Sequence, residues 1–216
     1  TRTYSISSAP DQDSDLITIT VKVIKEGRMS HHLVRNVKVG DYLPIGVPQG
    51  DFVLPEAMPV KPLFISAGSG ITPVMSMVRS LIAEERLPHT THIHFAPHGY
   101  DVIFGNELKM LVEKHPQYQL HLITTRNADG TSSNKHFSNA LLEQACPDWR
   151  SRDVYACGPQ NLLTALTDHW QAAGLSKQLQ FEAFLAQLAA TPTDTAEGTL
   201  SFADSNTQMA SDGVTN

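Results

Sequence analysis

Between Lys61 and Phe184 short apolar runs alternate with amphipathic stretches, and this alternation constrains the fold more than any other feature. Leu63-Phe64-Ile65 reads as a short strand, followed by an amphipathic helix from Pro73 to Glu85. Thr91 to Phe95 is the next strand and Asn106 to Lys114 the next helix, and Tyr118 to Thr124 alternates as a strand again. Asn139 to Gln144 is helical, Asp153 to Ala156 a strand, Pro159 to Ala173 a helix stopped by Gly174, and Gln178 to Phe184 a last strand. Strands separated by helices are solved economically by right-handed βαβ units around a parallel sheet, an α/β Rossmann-like domain.

The flanks differ. From Thr1 to about Pro55 the pattern is β-like. Residues 16–23, LITITVKV, alternate apolar with polar and predict a half-buried strand. Gly27, Gly40, Pro44, Gly46, Pro48 and Gly50 then punctuate short runs, which predicts a small antiparallel sheet or barrel. Residues 187–198, QLAATPTDTAEG, are small, polar and patternless, as in an exposed linker. Thr199 to Phe202 opens a new strand close to the end. Residue 1 is not Met and the chain stops at DGVTN, so it reads as a piece of something larger.

Five motifs could carry chemistry. In Arg2-Thr3-Tyr4-Ser5-Ile6-Ser7-Ser8, an extended backbone puts Arg2 and Tyr4 on one side. The guanidinium suits a phosphate, the ring a planar heterocycle, and the following Ser a ring nitrogen. An exposed strand end is the alternative. Gly27-Arg28-Met29-Ser30 offers backbone N–H groups and a hydroxyl to an anion, or is an ordinary capped turn. Ser66-Ala67-Gly68-Ser69-Gly70-Ile71-Thr72-Pro73 lies between a strand and a helix, where glycines let the backbone approach a pyrophosphate. Pro73 suits the first helical turn. The run is not GxGxxG, and a plain strand-to-helix turn is the alternative. Tyr155-Ala156-Cys157-Gly158-Pro159 repeats that context, which implies one cleft with two rims. Cys157 is either a reactive thiol or a small packing residue beside a bound ring. In Phe181-Glu182-Ala183-Phe184, the acid and the aromatics either edge a cofactor or complete a core strand.

Taken in this order, the motifs resemble the ferredoxin–NADP reductase superfamily. They are most similar to its flavodoxin/ferredoxin reductase members with a C-terminal plant-type ferredoxin domain. Flavohaemoglobin reductase domains and oxygenase reductases share the plan. The resemblance implies a partial antiparallel β-barrel FAD-binding domain at 1–58 and an NAD(P)H-binding α/β domain at 59–186. It further implies a linker at 187–198 and the opening hairpin of a plant-type ferredoxin domain at 199–216. Arg2 would hold the FAD pyrophosphate, Tyr4 pack on the flavin, and Ser5 approach the ring. Gly27, Met29 and Ser30 would bind the flavin phosphates. Gly68 and Gly70 would lie at the NAD(P)H pyrophosphate, beside Pro73, and Thr72 where nicotinamide meets flavin. Cys157, Gly158 and Pro159 would frame the nicotinamide, with Glu182 and Phe184 near the flavin's far side. The residues implied to take part in catalysis are Ser5, Thr72, Cys157 and Glu182. The activity implied is hydride transfer from NADPH or NADH to FAD, then single-electron transfer to an iron–sulfur or haem acceptor. A ferredoxin-like, flavodoxin or oxygenase/desaturase-type partner would receive the electrons. A non-catalytic nucleotide-binding or regulatory module of the same fold is the alternative. Thr125-Arg126 follows the strand ending at Thr124, where the family reads the 2′-phosphate; Arg126, helped by Lys135, would favour NADPH, and a solvated loop arginine is the alternative. The family's FAD domain begins some strands before Arg2, and the [2Fe-2S] cysteines of a ferredoxin domain would come after residue 216, in a full-length parent.

Composition removes competing classes. No apolar run approaches the about 20 residues that span a bilayer, and the first residues have no signal-peptide core, which points to the cytoplasm. Two cysteines are too few for a disulfide framework or a metal cluster. A net charge of −6 argues against nucleic acid as a partner. Among the ten histidines, His31-His32, His92/His94 and His98 form no helical H-x-x-x-H pair and read as packed or solvated, not as metal ligands. No G-x-S-x-G elbow is present. A classical dehydrogenase would require GxGxxG and a catalytic Tyr/Lys pair, neither of which is evident.

Overall fold

The computed structural model describes residues 2–10, 16–57 and 59–184, and the backbone of residues 198–202 and 207–211. The chain divides into two compact units, Thr1–Phe184 and Leu185–Asn216.

The first unit is organised by a five-stranded sheet. Its elements are α1 (Arg28–Arg35), β1 (Pro62–Ala67), α2 (Ile71–Ala83), β2 (Thr90–Ala96), α3 (Gly105–Lys114), β3 (Tyr118–Thr124), α4 (Asn139–Ala145), β4 (Asp153–Gly158), α5 (Gln160–Ala172) and β5 (Leu179–Ala183). The strand order is β3-β2-β1-β4-β5, and all four pairings are parallel. The expected Rossmann-like sheet is therefore borne out, with the order reversing between β1 and β4. Every expected helix and strand from β1 to β5 is present, with ends shifted by a few residues.

Side-chain alternation along each strand builds two cores. Leu63, Ile65, Ile93, Phe95, Val154 and Ala156 point to one face. They pack on Leu162, Leu163 and Leu166 of α5 and on Trp149 and Trp170, whose rings meet edge-to-face at 4.9 Å. Phe64, Tyr118 and Tyr155 point the other way, against Ile71, Val74, Met75 and Val78 of α2 and Leu108 of α3. Burying each such side chain contributes about 1.5–3 kcal/mol. The helix starts are specified locally. Ser138 caps α4 by accepting the Leu141 N–H at 3.2 Å. Pro73 is the third residue of α2, where no intrahelical donor is lost.

A polar chain crosses the α2/α3 face. Ser66 Oγ lies 2.8 Å from both His92 Nε2 and His94 Nδ1, and His92 Nδ1 lies 2.6 Å from the Tyr118 hydroxyl. Burial holds both imidazoles neutral: His92 is shifted well below 6.5, with His94 adding to the shift, and His94 falls to about 4. The paired histidines are thus structural members of the sheet.

Residues 16–23 differ from expectation. Among the described residues up to Ile24, the only β-pairing is an isolated antiparallel bridge, Ile6 to Ile19. Leu16 and Ile17 are 79% and 56% exposed, so the half-buried strand does not form here. Alternation marks which face seeks burial, but a strand also needs neighbours on its edges and against that face. The 5–8 segment lies alongside, through Ser7 N–H to Thr18 O at 2.7 Å and Thr18 N–H to Ser8 Oγ at 3.0 Å.

In the second unit, β6 (Gly198–Phe202) and β7 (Thr207–Ser211) form an antiparallel hairpin. The linker expected at 187–198 lies outside the described residues, except for Gly198.

Candidate functional site

Two chain turns leave the carboxyl edge of the sheet at the point where strand order reverses. After β1, Gly68–Gly70 forms a single 3₁₀ turn that runs directly into α2. After β4, Gly158 and Pro159 lead into α5. In open α/β sheets this reversal is where ligands enter, because the two connections diverge to opposite faces and leave a crevice. The two glycines of the first turn have different reasons. Gly68 adopts φ +54° with open space where a Cβ would be. Gly70 is pressed against the other turn: a Cβ there would lie 2.1 Å from Cys157 O and 2.8 Å from Gly158 N. The glycine at 70 sets how closely the two rims approach, while Gly68 leaves bare backbone facing outward.

Thr72 is buried at the start of α2, and its hydroxyl donates to Ser69 O at 3.0 Å. That bond ties the glycine turn to the helix. Pro73 is buried beside it.

Three of the four residues expected to take part in catalysis meet beside this crevice. Ser5 Oγ donates to Glu182 Oε2 at 2.8 Å. Glu182 is the register partner of Cys157, so both side chains leave the same face of neighbouring strands. Cys157 is fully buried, and its thiol is pushed far above the ordinary range by burial and then by the Glu182 charge. It is a neutral, apolar-sized group, not a nucleophile. Phe184 is 38% exposed just beyond β5. A groove of about 450 Å³ runs along β5, lined by Asp51, Phe52, Gln180, Phe181, Glu182 and Ala183. Asp51 and Phe52 went unnoticed in the sequence, where nothing marks them; Phe52 is placed by its ring contact with Tyr155 at 6.4 Å.

The remaining expected residues lie apart from this cluster or at its edge. Arg2 is exposed and Tyr4 half-buried, on the segment that carries Ser5. Gly27 caps α1. Ser30 is buried, its hydroxyl donating to Gly27 O at 3.0 Å and accepting from Ile24 N–H at 3.1 Å. That hydroxyl is committed to the turn, so an anion there would meet the first backbone N–H groups of α1 instead. Met29 is exposed beside them. Arg126 is exposed after β3; it bridges to Ser132, and its guanidinium donates to Gly130 O at 3.3 Å. Lys135 is exposed on the same connection.

A tie between the N-terminal segment and α2 was not anticipated. Ser76 Oγ donates to Ser8 O at 2.7 Å, and Arg79 donates to Ser7 O. Polar residues at i and i+3 on a largely apolar helix were the available signal. A hollow of about 260 Å³ also lies at the amino end of the sheet, lined by Lys61, His89 and Arg152 among others. Lys61 and Arg152 both pair with Asp148, at 3.0 and 2.7 Å, so its cations are already used.

Donors and shapes at the crevice fit the groups implied by the sequence. Open backbone at Gly68 and a helix start behind it suit a dinucleotide pyrophosphate. A hydroxyl–carboxylate pair beside a buried neutral thiol suits the edges of two stacked heterocycles. Sequence comparison agrees. A family model described as an oxidoreductase FAD-binding domain matches residues 1–54, and one described as an oxidoreductase NAD-binding domain matches residues 64–168. An NADPH oxidoreductase of Mycobacterium tuberculosis is 41% identical over 99% of this chain and 55% of its own length. Phthalate dioxygenase reductase, a modular structure for electron transfer from pyridine nucleotides to [2Fe-2S], superposes with a TM-score of 0.68 at 25% identity. That match covers 97% of this chain and 61% of the other. Ferredoxin-NADP+ reductase from Plasmodium falciparum shares the fold at a TM-score of 0.68 and 20% identity, over 84% of this chain and 76% of the other.

The two adjacent family matches define a flavin- and nicotinamide-binding oxidoreductase class. The chain belongs to the ferredoxin–NADP reductase superfamily. It spans about half the length of the curated relatives it matches.

Proposed function

We propose that the full-length protein is an FAD-dependent NAD(P)H oxidoreductase that passes electrons from a nicotinamide through FAD to an iron–sulfur or haem acceptor. The observation that carries this reading is the meeting of Ser5, Glu182 and Cys157 beside two glycine turns at the reversal of strand order. FAD and the nicotinamide nucleotide supply the hydride and electron chemistry when bound. The protein's part is binding, alignment and exclusion of water. Gly68 and the start of α2 would receive the NAD(P)H pyrophosphate. Arg2, Tyr4 and the N-terminus of α1 would hold FAD. The Ser5 hydroxyl, fixed by Glu182, would offer a hydrogen bond at the flavin edge. Cys157 would present a small uncharged surface to the nicotinamide, and Thr72 would keep the turn seated.

The division of labour follows the same reading: a flavin-binding part at 1–58, a nucleotide-binding part at 59–186, a linker at 187–198, and a ferredoxin-like part starting at 199. The hairpin of β6 and β7 supports the last of these, and a [2Fe-2S] centre would lie in the longer protein. The partner would be a ferredoxin-like, flavodoxin or oxygenase-type acceptor; the similarity to an oxygenase reductase supports it. A cytoplasmic setting accords with two free, buried thiols. Among the described residues, no helix is long and apolar enough to cross a membrane.

Absorbance of the purified full-length protein tests the flavin, and ferricyanide reduction with NADPH and with NADH tests turnover. A colourless protein that releases no flavin on heating refutes the reading. Bound flavin without turnover from either nucleotide assigns the protein to the non-catalytic module instead. NADPH is the expected donor because Arg126 and Lys135 line the connection after β3. Arg126→Ala should raise KM for NADPH and leave NADH nearly unchanged; equal effects on both reject that role.

A further inference from the structure

One helix carries both the nucleotide turn and the hold on the flavin segment. α2 starts behind Gly68–Gly70 with Thr72, and about one and two turns later it presents Ser76 and Arg79. Ser76 Oγ donates to Ser8 O at 2.7 Å, and Arg79 Nη1 donates to Ser7 O. Ser7 and Ser8 follow Ser5 by two and three residues, so both bonds grip the segment whose Ser5 meets Glu182. Ser7 is fully buried and bonded on its other side to Thr18 O and Thr20 Oγ1, which leaves the segment little room to slide.

The guanidinium is itself held. Arg79 Nε and Nη2 donate to the two carboxylate oxygens of Glu107 at 2.7 and 2.5 Å, and Nη1 is left for the Ser7 carbonyl. The Arg79 carbon also lies 4.6 Å from the centre of the Phe104 ring. Glu107 is in the first turn of α3. A planar fork anchored on one carboxylate aims its last nitrogen in a fixed direction; an ammonium has no such fork. From Thr72 to Arg79 the helix advances about 10 Å, a rigid spacer between the glycine turn and the Ser5–Ser8 segment.

We propose that Arg79, aimed by Glu107 and assisted by Ser76, is a positioning residue that sets the separation of nicotinamide and flavin, an inference that rests on the function proposed above. Hydride transfer needs its two rings within a narrow distance, and a displacement of about 1 Å costs about a hundredfold in rate. The clamp acts on distance without touching either ring. Its loss therefore affects the chemical step more than nucleotide affinity.

The test uses full-length, FAD-loaded protein and the variants Arg79→Met, Arg79→Lys, Glu107→Gln and Ser76→Ala. Three quantities are read: the single-turnover rate of flavin reduction per bound flavin, the Kd for NADP+ or NAD+, and the long-wavelength absorbance that reports nicotinamide stacked on flavin. Hydrogen exchange of residues 5–9, without nucleotide, supplies a fourth reading free of turnover. Arg79→Met should slow reduction by about ten- to a hundredfold, weaken the long-wavelength band, speed exchange at residues 5–9, and leave Kd near wild type. Arg79→Lys should recover little, because it keeps the charge and loses the fork. Glu107→Gln should fall between them. Ser76→Ala, which removes one bond and no charge, carries the test if Arg79→Met does not fold, with a several-fold slower rate. Unchanged rate and band in folded variants overturn the proposal, as does a rise in Kd with an unchanged rate at saturation. Failure of the underlying reading looks different: wild-type protein would then show neither flavin reduction nor the band, which also removes the role for Arg79.

Discussion

Gly70→Ala probes the closeness of the two rims directly. The added Cβ would sit 2.1 Å from Cys157 O, 2.5 Å from Cys157 C and 2.8 Å from Gly158 N, all of them backbone atoms. No side-chain rotation relieves that overlap, so one turn must withdraw by about 1 Å to reach van der Waals separation. Overpacking of this kind costs about 1–3 kcal/mol, or about 2–12 °C in Tm for a chain of this size. Gly68→Ala is the matched control for stability alone. It meets open space and carries only the left-handed backbone penalty at φ +54°, about 1–2 kcal/mol. Thermal melts of the full-length protein give the stability term, and titration with NADPH gives the binding term. Gly70→Ala should lose nucleotide affinity along with stability, because the rims separate where the ligand enters. Gly70→Ala no more damaging than Gly68→Ala, with NADPH affinity unchanged, would refute the argument that the rims are set by this contact.

Acid should destabilise the fold through the buried imidazoles. Both His92 and His94 are depressed in the folded state, so the unfolded chain takes up more protons as pH falls. The stabilisation is complete above about 6.5 and is lost as pH falls towards 4; for His94, a shift from 6.5 to about 4 corresponds to about 3 kcal/mol. Urea midpoints measured from pH 7.5 to 4.5 should decline steadily, and a flat profile would contradict the buried neutral pair. Cys146 and Cys157 should resist thiolate-directed labelling at pH 8 in the native state and react in urea, since burial raises both thiols, Cys146 to about 11. Rapid native labelling of Cys157 would show that it is exposed as a thiolate. Trp149→Ala should cost about 3–5 kcal/mol, because the ring is fully buried between His169 and Trp170; a change in Tm of only a few degrees would sink that estimate.

Local pattern was enough wherever the determining interactions are close in sequence. The Gly68–Gly70 turn was legible because a strand, two glycines and a helix start follow one another directly. The apolar periods of β1 to β5 and α2 to α5 likewise announce which residues face the sheet. Leu16 to Val23 shows the limit: the same alternation gives the preferred conformation but not a neighbour to pair with, and among its residues only Ile19 bridges.

By itself, the amino-acid order determined the parallel sheet, the two glycine turns and the family to which the chain belongs. Each follows from short-range sterics, from side-chain period, or from motifs in a set order. Tertiary structure alone decided which of those motifs meet. Ser5 and Glu182 are separated by 177 positions, and Arg79 and Ser7 by 72, so no local preference signals either contact. Only the strand order β3-β2-β1-β4-β5 brings the Cys157 turn against Gly70 and sets Glu182 beside Cys157. Burial then decided the local chemistry: it keeps the Cys157 thiol protonated, commits the Ser30 hydroxyl to its own turn, and makes His92 and His94 neutral members of a core network. These outcomes depend on desolvation and on neighbours supplied by distant segments, which a linear reading does not contain.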